Sequence, residues 1–92
     1  MQKNSPHRRE NRILAAILKE LRLNVGLNQI DLAARAQMRQ SDVSKIETGV
    51  RQIDYLELRQ WLAATDFDVA SFEAEFASRV ERMGLTHPPK AK

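Results

Sequence analysis

Five polar side chains in the middle of the sequence have the types and spacing of a surface that recognises hydrogen-bonding groups. They occur at i, i+1, i+4, i+5 and i+8 of a short segment that ends at a glycine, namely Gln40, Ser41, Ser44, Lys45 and Thr48. This spacing places them on one face of a helix, with Val43 and Ile46 on the other face. Glutamine can pair bidentately with adenine, lysine can donate to guanine O6 and N7, and serine suits either base. The segment therefore predicts contact with DNA base edges, and a merely solvated helix face is the alternative.

No other chemical site is predicted. His7 and His87 are far apart in the sequence and have no partner at ligand spacing, so neither a metal site nor a cofactor is expected. The sequence has no phosphate loop, glycine-rich fingerprint or Ser–His–Asp arrangement, so the protein is not expected to be an enzyme. The lack of cysteines excludes a disulfide scaffold and fits a cytoplasmic location. No apolar run approaches the ~18 residues of a membrane span, so no membrane contact is expected.

Charge is distributed unevenly along the 92 residues, whose net charge is +3. Residues 1–12 carry +3 and residues 13–53 carry +2, whereas residues 54–84 carry −4. A basic front half and an acidic back half favour a polyanion as the partner of the front half. An uneven but merely solvated surface is the alternative interpretation.

The first helix has two candidate starts. Ser5 followed by Pro6 has the pattern of an N-cap with proline at the first helical position, and a later start near Asn11 is the alternative. Gly26 is expected to end this helix. The basic segment HRRENR at residues 7–12 is then either an arm that follows the DNA backbone or the solvated first turns of helix one.

Cap residues mark the other helices. Asn28 is the predicted N-cap of a short second helix, and Gly49 is expected to end the third helix. Asp54 and Glu57 have the spacing of a capping box at the start of the fourth helix, and Asp68 is the predicted cap of the fifth. Because glycine and proline are rare, three of each, the whole chain is predicted to be helical.

Two short helices joined by about three residues form a helix-turn-helix arrangement, and this part of the chain resembles a known family. Residues 18–65 resemble the Cro/phage-repressor-type helix-turn-helix domain, or XRE family. The resemblance depends on "LR" at 21–22, "LNQ" at 27–29, "LA" at 32–33, "SDVSKIETG" at 41–49 and a following helix built on Leu58 and Leu62. It implies an all-α, five-helix, lambda-repressor-like fold. The expected organisation is a basic arm over residues 1–10, a DNA-binding domain over 11–84 and a flexible tail over 85–92.

The resemblance also implies roles for individual residues. Gln40, Ser41 and Lys45 match base-contacting positions, and Ser44 lies beside them. Gln29 opens helix two and Arg51 follows helix three at phosphate-contacting positions, and the full set expected to contact phosphates is Asn28, Gln29, Arg39 and Arg51. Arg22 and Glu47 match a paired arginine and glutamate that connect helix one to the end of helix three.

Three residues depart from the family pattern. Arg39 replaces the serine or threonine that usually caps helix three, so a weak cap is expected. Gln37 replaces a frequent glycine in the turn, which requires either a positive φ or a different turn. Asp42 would repel phosphate unless it caps the helix start or pairs with Arg39.

The sequence as a whole predicts a sequence-specific DNA-binding transcriptional regulator. We expect a homodimeric repressor that binds double-stranded DNA at an inverted-repeat operator through the helix at 40–48. Dimer contacts are expected at Leu56, Trp61, Phe72, Phe76 and Val80, although the stripe on helix five would equally close the core of a monomer. One alternative is an antitoxin that binds a toxin protein, and another is a protein-interaction module without DNA specificity.

Overall fold

The computed structural model describes residues 6–84, which form five α-helices and no strand. The helices are α1 (Pro6–Asn24), α2 (Gln29–Ala36), α3 (Gln40–Glu47), α4 (Tyr55–Ala64) and α5 (Val69–Arg82). The predicted all-α, five-helix fold is therefore confirmed. Helix α1 begins at Pro6, the earlier of the two candidate starts, so residues 6–10 of the expected arm are helical. The proposed cap Ser5 and the expected tail at 85–92 lie outside the described residues.

Side-chain caps fix the starts of three helices as predicted. Asn28 Oδ1 accepts a hydrogen bond from the backbone N–H of Asp31 at 2.8 Å, and Asp68 accepts one from Ser71 N–H at 2.7 Å. The capping box at α4 is complete: Asp54 Oδ1 accepts from Glu57 N–H at 2.8 Å, and Glu57 Oε1 accepts from Asp54 N–H at 3.0 Å. Each cap satisfies a backbone donor that the first helical turn leaves without a partner.

The α2–α3 turn uses a positive φ rather than a different turn. Gln37 has φ 60° and ψ 46°, in the left-handed region. This conformation lets Met38 N–H donate to the Ala33 carbonyl oxygen at 2.9 Å, while Gln37 N–H donates to Ala34 O at 3.3 Å. The two bonds close α2 in the way glycine usually does. The small side chain of Ala33, 4% exposed, lies in the core beneath this turn.

The core is formed by the inner faces of all five helices. It contains Ile13, Ile17, Leu18, Leu21, Leu27, Leu32, Ala33, Ala36, Val43, Ile46, Trp61, Leu62, Ala64, Phe72 and Val80. Trp61 is fully buried, and its indole Nε1 donates to the Leu18 carbonyl oxygen at 3.1 Å. Helix α2 packs against α3 and α4, and α1 packs against α3, α4 and α5. The core therefore holds α3 from behind and leaves its outer face accessible.

Three of the five expected dimer contacts are wrong. Trp61, Phe72 and Val80 are at most 5% exposed because they fill the core of the single chain, so they offer no surface to a second copy. Phe76 is half-buried beside this core, and its ring stacks with that of Phe72 at a centroid distance of 6.4 Å. Leu56 is different, since 70% of its surface is exposed.

Candidate nucleic-acid interface

The outer face of α3 presents the four predicted base-contacting residues together. Gln40, Ser41 and Lys45 are exposed and Ser44 is half-buried, whereas Val43 and Ile46 are buried on the inner face. Since α3 has only two turns, these two apolar side chains suffice to fix its rotation about its own axis. The exposed face carries donors and acceptors of mixed type, which is the pattern that base edges present in a major groove.

Gln40 is held in place by a side-chain network that sequence reasoning missed. Its Nε2 donates to Gln29 Oε1 at 2.9 Å, and Gln29 Nε2 donates to Glu47 Oε1 at 3.0 Å. A glutamine amide has two N–H donors and one oxygen acceptor. Gln40 commits one N–H to Gln29, and the other N–H and the oxygen are what a bidentate pair with adenine requires. The available signal for the Gln29–Gln40 hydrogen bond was that each glutamine is the first residue of a helix, one of α2 and the other of α3.

The predicted Arg22–Glu47 pair lies behind this network. Arg22 Nε donates to Glu47 Oε2 at 2.6 Å, and Arg22 Nη2 donates to Glu47 Oε1 at 2.9 Å. The third donor group, Nη1, binds the Leu27 carbonyl oxygen at 2.8 Å. The two side chains are only 8% and 2% exposed, and the hydrogen bonds that Arg22 donates to the Glu47 carboxylate raise the pKa of Arg22. The pair joins α1, the α1–α2 turn and the end of α3.

Three of the four expected phosphate contacts lie at helix starts: Asn28 and Gln29 at the start of α2, and Arg39 directly before α3. Asn28 uses its side-chain oxygen for the cap, and Gln29 is the first residue of α2. Arg39 is 84% exposed at the start of α3, where its side chain makes no capping hydrogen bond, which confirms the expected weak cap. Its Nε lies 3.5 Å from Asp42 Oδ2, so Asp42 pairs with Arg39, which is one of the two alternatives left open for this residue.

Arg51, the fourth expected phosphate contact, is bound within the protein. Its Nη1 and Nη2 donate to the two carboxylate oxygens of Glu57 at 2.9 and 2.7 Å, and Nη1 also donates to Gln52 O at 3.1 Å. Asp42 Oδ1 lies 3.7 Å from its Nε. The Arg51 guanidinium holds the pKa of Glu57 below its ordinary value. The capping box was the available signal, because it turns the Glu57 carboxylate back toward the loop that carries Arg51.

Other kinds of site find no support in the part of the chain that the structure describes. Among the side chains of residues 9–84 there is no group of three or more His, Cys, Asp or Glu that could hold a metal ion. None of the described helices combines the length and the apolar character needed to cross a membrane.

A family model described as helix-turn-helix matches residues 18–72, which is more than half of the chain. The chain belongs to the XRE-type helix-turn-helix family. This confirms the resemblance inferred from the sequence, and it indicates a DNA-binding transcriptional regulator. Proteins with this regulator fold are typically non-enzymatic.

A solved structure supports the same fold. The XRE-type chain is similar to a crystal structure of a point mutant of the restriction-modification controller protein C.Esp1396I, with a TM-score of 0.75. The alignment covers 89% of this chain and 98% of that one at 18% sequence identity. No curated protein matches the sequence. The structural likeness shows that the fifth helix, which lies mostly beyond the family match, is also part of a known architecture.

Proposed function

We propose that the protein is a sequence-specific transcriptional regulator that binds double-stranded DNA as a homodimer and represses from an inverted-repeat operator. The observation that carries the proposal is the outer face of α3. It combines an exposed set of mixed hydrogen-bonding groups with a glutamine, Gln40, that the Gln29 side chain holds at 2.9 Å. A solvated face has no need for such positioning, whereas base recognition does, because an ordered side chain loses less entropy on binding.

The proposed contacts divide into two kinds. Gln40, Ser41, Ser44 and Lys45 contact base edges and so determine sequence preference. Asn28 and Gln29 contact phosphate at the start of α2, where backbone N–H groups favour an anion. Arg39 adds a phosphate contact from its exposed position. Arg51 already pairs with the Glu57 carboxylate, so its contribution is expected to be smaller.

A homodimer follows from the amount of sequence that one α3 can contact. A single recognition helix spans only a few base pairs, and two half-sites one helical turn apart supply the missing specificity. Of the expected dimer contacts, Leu56 is exposed and Phe76 is half-buried, and Tyr55 is 60% exposed beside Leu56. This apolar pair at the start of α4 is the proposed centre of the dimer surface.

The structural likeness to a restriction-modification controller protein supports a regulator whose control depends on its own concentration and operator occupancy. The described residues contain no feature that favours a toxin partner, so the antitoxin alternative is not carried further. A protein-interaction module without DNA specificity is the remaining alternative. It predicts that no DNA sequence is preferred.

Selection from a random duplex library at moderate salt tests the proposal. We expect one inverted-repeat sequence to be enriched, and Gln40→Ala and Lys45→Ala each to weaken binding to it by about 1–3 kcal/mol per half-site. Binding to a scrambled duplex should change much less. The exposed lysine of α1, Lys19, supplies the control variant Lys19→Ala, which should leave both affinities unchanged. A library that enriches nothing would rule out sequence-specific regulation.

A further inference from the structure

The beginning of α1 is attached to the end of α3. Asn11 Nδ2 donates a hydrogen bond to the carbonyl oxygen of Gly49 at 3.3 Å. Gly49 follows α3 at a φ of +80°, a conformation that turns the chain away from the helix axis. The bond spans 38 residues of sequence and brings the basic start of α1 beside the candidate base-contacting helix.

A polar hollow of about 380 Å³ lies at this junction. It is bordered by Asn11, Arg12, Thr48, Gly49 and Val50. Thr48 lies one helical turn beyond Ser44, so it continues the exposed polar face of α3. Its hydroxyl donates to the Ser44 carbonyl oxygen at 3.1 Å. Arg12 therefore borders the same face as the base-contacting candidates, at the C-terminal end of α3.

Arg12 is available to an external anion. Its side chain is exposed, and among residues 9–84 no carboxylate lies within the 4.0 Å of a salt bridge to it. Glu10 is two positions away, a spacing at which helix side chains do not face each other. Arg79 provides the contrast, because Glu20 and Glu75 bind its guanidinium at 2.7 and 2.6 Å.

We propose that Arg12, placed by the Asn11–Gly49 hydrogen bond, contacts a DNA phosphate at the C-terminal end of α3. A major groove is about 12 Å wide and admits one α-helix, whose diameter with side chains is about 10–12 Å, so α3 would lie between two walls of phosphates. A cation just beyond the end of such a helix faces the groove wall, which consists of phosphates. Gln29 and Arg39 lie at the opposite end of α3. The phosphate contacts therefore flank α3 on both sides and fix its register in the groove.

This inference rests on the proposed function, and the salt dependence of binding tests it separately. The probes are the duplex enriched from the random library and a scrambled duplex of the same length, titrated by fluorescence anisotropy from about 50 to 200 mM KCl. Arg12→Gln removes one phosphate contact from each protomer of the homodimer, so it should reduce the slope of log affinity against log salt by about 1.8 on both duplexes. Its loss of affinity relative to wild type should therefore shrink about twelvefold between 50 and 200 mM KCl. Arg12→Lys, which retains the charge, should restore most of the slope.

Two further variants separate the role of Arg12 from general charge and from folding. Lys19→Gln removes an exposed cation from the same helix and should leave the slope unchanged. Asn11→Ala should reduce the slope in part. The double variant with Arg12→Gln should have the same slope as Arg12→Gln alone, since Asn11 acts only by placing Arg12. Far-UV circular dichroism and the urea midpoint report whether each variant is folded.

The possible outcomes distinguish this inference from the function on which it rests. If wild type prefers the enriched duplex and Arg12→Gln has the same slope as Lys19→Gln, Arg12 is not a phosphate contact and the regulator proposal stands. A loss confined to the enriched duplex would make Arg12 a base contact and would equally overturn the inference. If wild type prefers no duplex, the proposed function itself fails.

Discussion

Replacing Glu47 with glutamine tests whether the buried Arg22–Glu47 pair stabilises the fold behind the candidate nucleic-acid interface. The Glu47 carboxylate accepts three hydrogen bonds, two from Arg22 and one from Gln29, and its side chain is 2% exposed. Glutamine has almost the same shape, but it leaves the Arg22 cation buried without a counter-charge. Removing one partner of a buried ion pair costs about 3–5 kcal/mol, because the remaining charge cannot return to water.

The expected loss is large on the scale of this domain. Small proteins unfold with a free energy of about 5–15 kcal/mol, so Glu47→Gln should remove a substantial fraction of the total. For a chain of this size each kcal/mol shifts Tm by about 4–8 °C, so Tm should fall by at least about 12 °C. Urea denaturation followed by far-UV circular dichroism measures the free energy of unfolding.

The matched control is Glu20→Gln, which removes one partner of Arg79 at the surface. Glu20 is 52% exposed, so this loss should be at most about 1 kcal/mol. The combined replacement of Arg22 by Met and Glu47 by Leu should cost much less than the sum of the single losses, since no charge is stranded. If Glu47→Gln costs no more than Glu20→Gln, the argument from burial is refuted.

Three further perturbations have expected outcomes. Gln37→Gly should raise the free energy of unfolding by about 0.5–1 kcal/mol, because glycine adopts the left-handed conformation of this position without strain. The control Ala34→Gly, within α2, should lower it by a similar amount. A loss of stability at both positions in urea denaturation would contradict this. Arg39→Ser should add up to about 1 kcal/mol of stability by capping α3 and should weaken DNA binding equally on all duplexes; an unchanged salt slope would remove Arg39 from the phosphate contacts. Because Arg51 holds the pKa of Glu57 below its ordinary 4.5, the stabilisation by this carboxylate is complete above about pH 4.5 and is lost as the pH falls through the lowered pKa. When the urea midpoint is plotted against pH, Glu57→Gln should therefore make its decrease below about pH 4.5 less steep. An equally steep decrease in the variant would show that the Arg51–Glu57 pair does not cause it.

Local signals in the sequence predicted the helices well. Asn28, Asp54 and Asp68 each marked a helix start, because a capping side chain acts on a backbone N–H two or three residues away and needs no tertiary contact. The periodicity of α3 likewise placed Val43 and Ile46 in the core and the polar residues outside. The caps each join residues only three positions apart, so the local sequence is enough to predict them.

Interactions between elements were predictable only in part. The resemblance implied the Arg22–Glu47 pair, and the capping box was a local signal for the Arg51–Glu57 pair, but nothing local showed that Asn11 reaches Gly49. Apolar periodicity also could not separate a core stripe from a dimer stripe, because both bury the same residue types. Trp61 is in the core for a reason only the fold reveals, namely that α1 offers its indole N–H a carbonyl acceptor at Leu18.

The network behind α3 has a consequence for how such a protein can change its DNA preference. The Gln29 side chain accepts a hydrogen bond from Gln40 and donates one to Glu47, the carboxylate that neutralises Arg22. A replacement at Gln40 therefore changes the partners of Gln29, which is itself bonded to the buried ion pair. Ser41 and Lys45 have exposed side chains outside this network. Selection for a new operator can therefore act freely at these two positions, while a change at Gln40 requires a compensating change at Gln29.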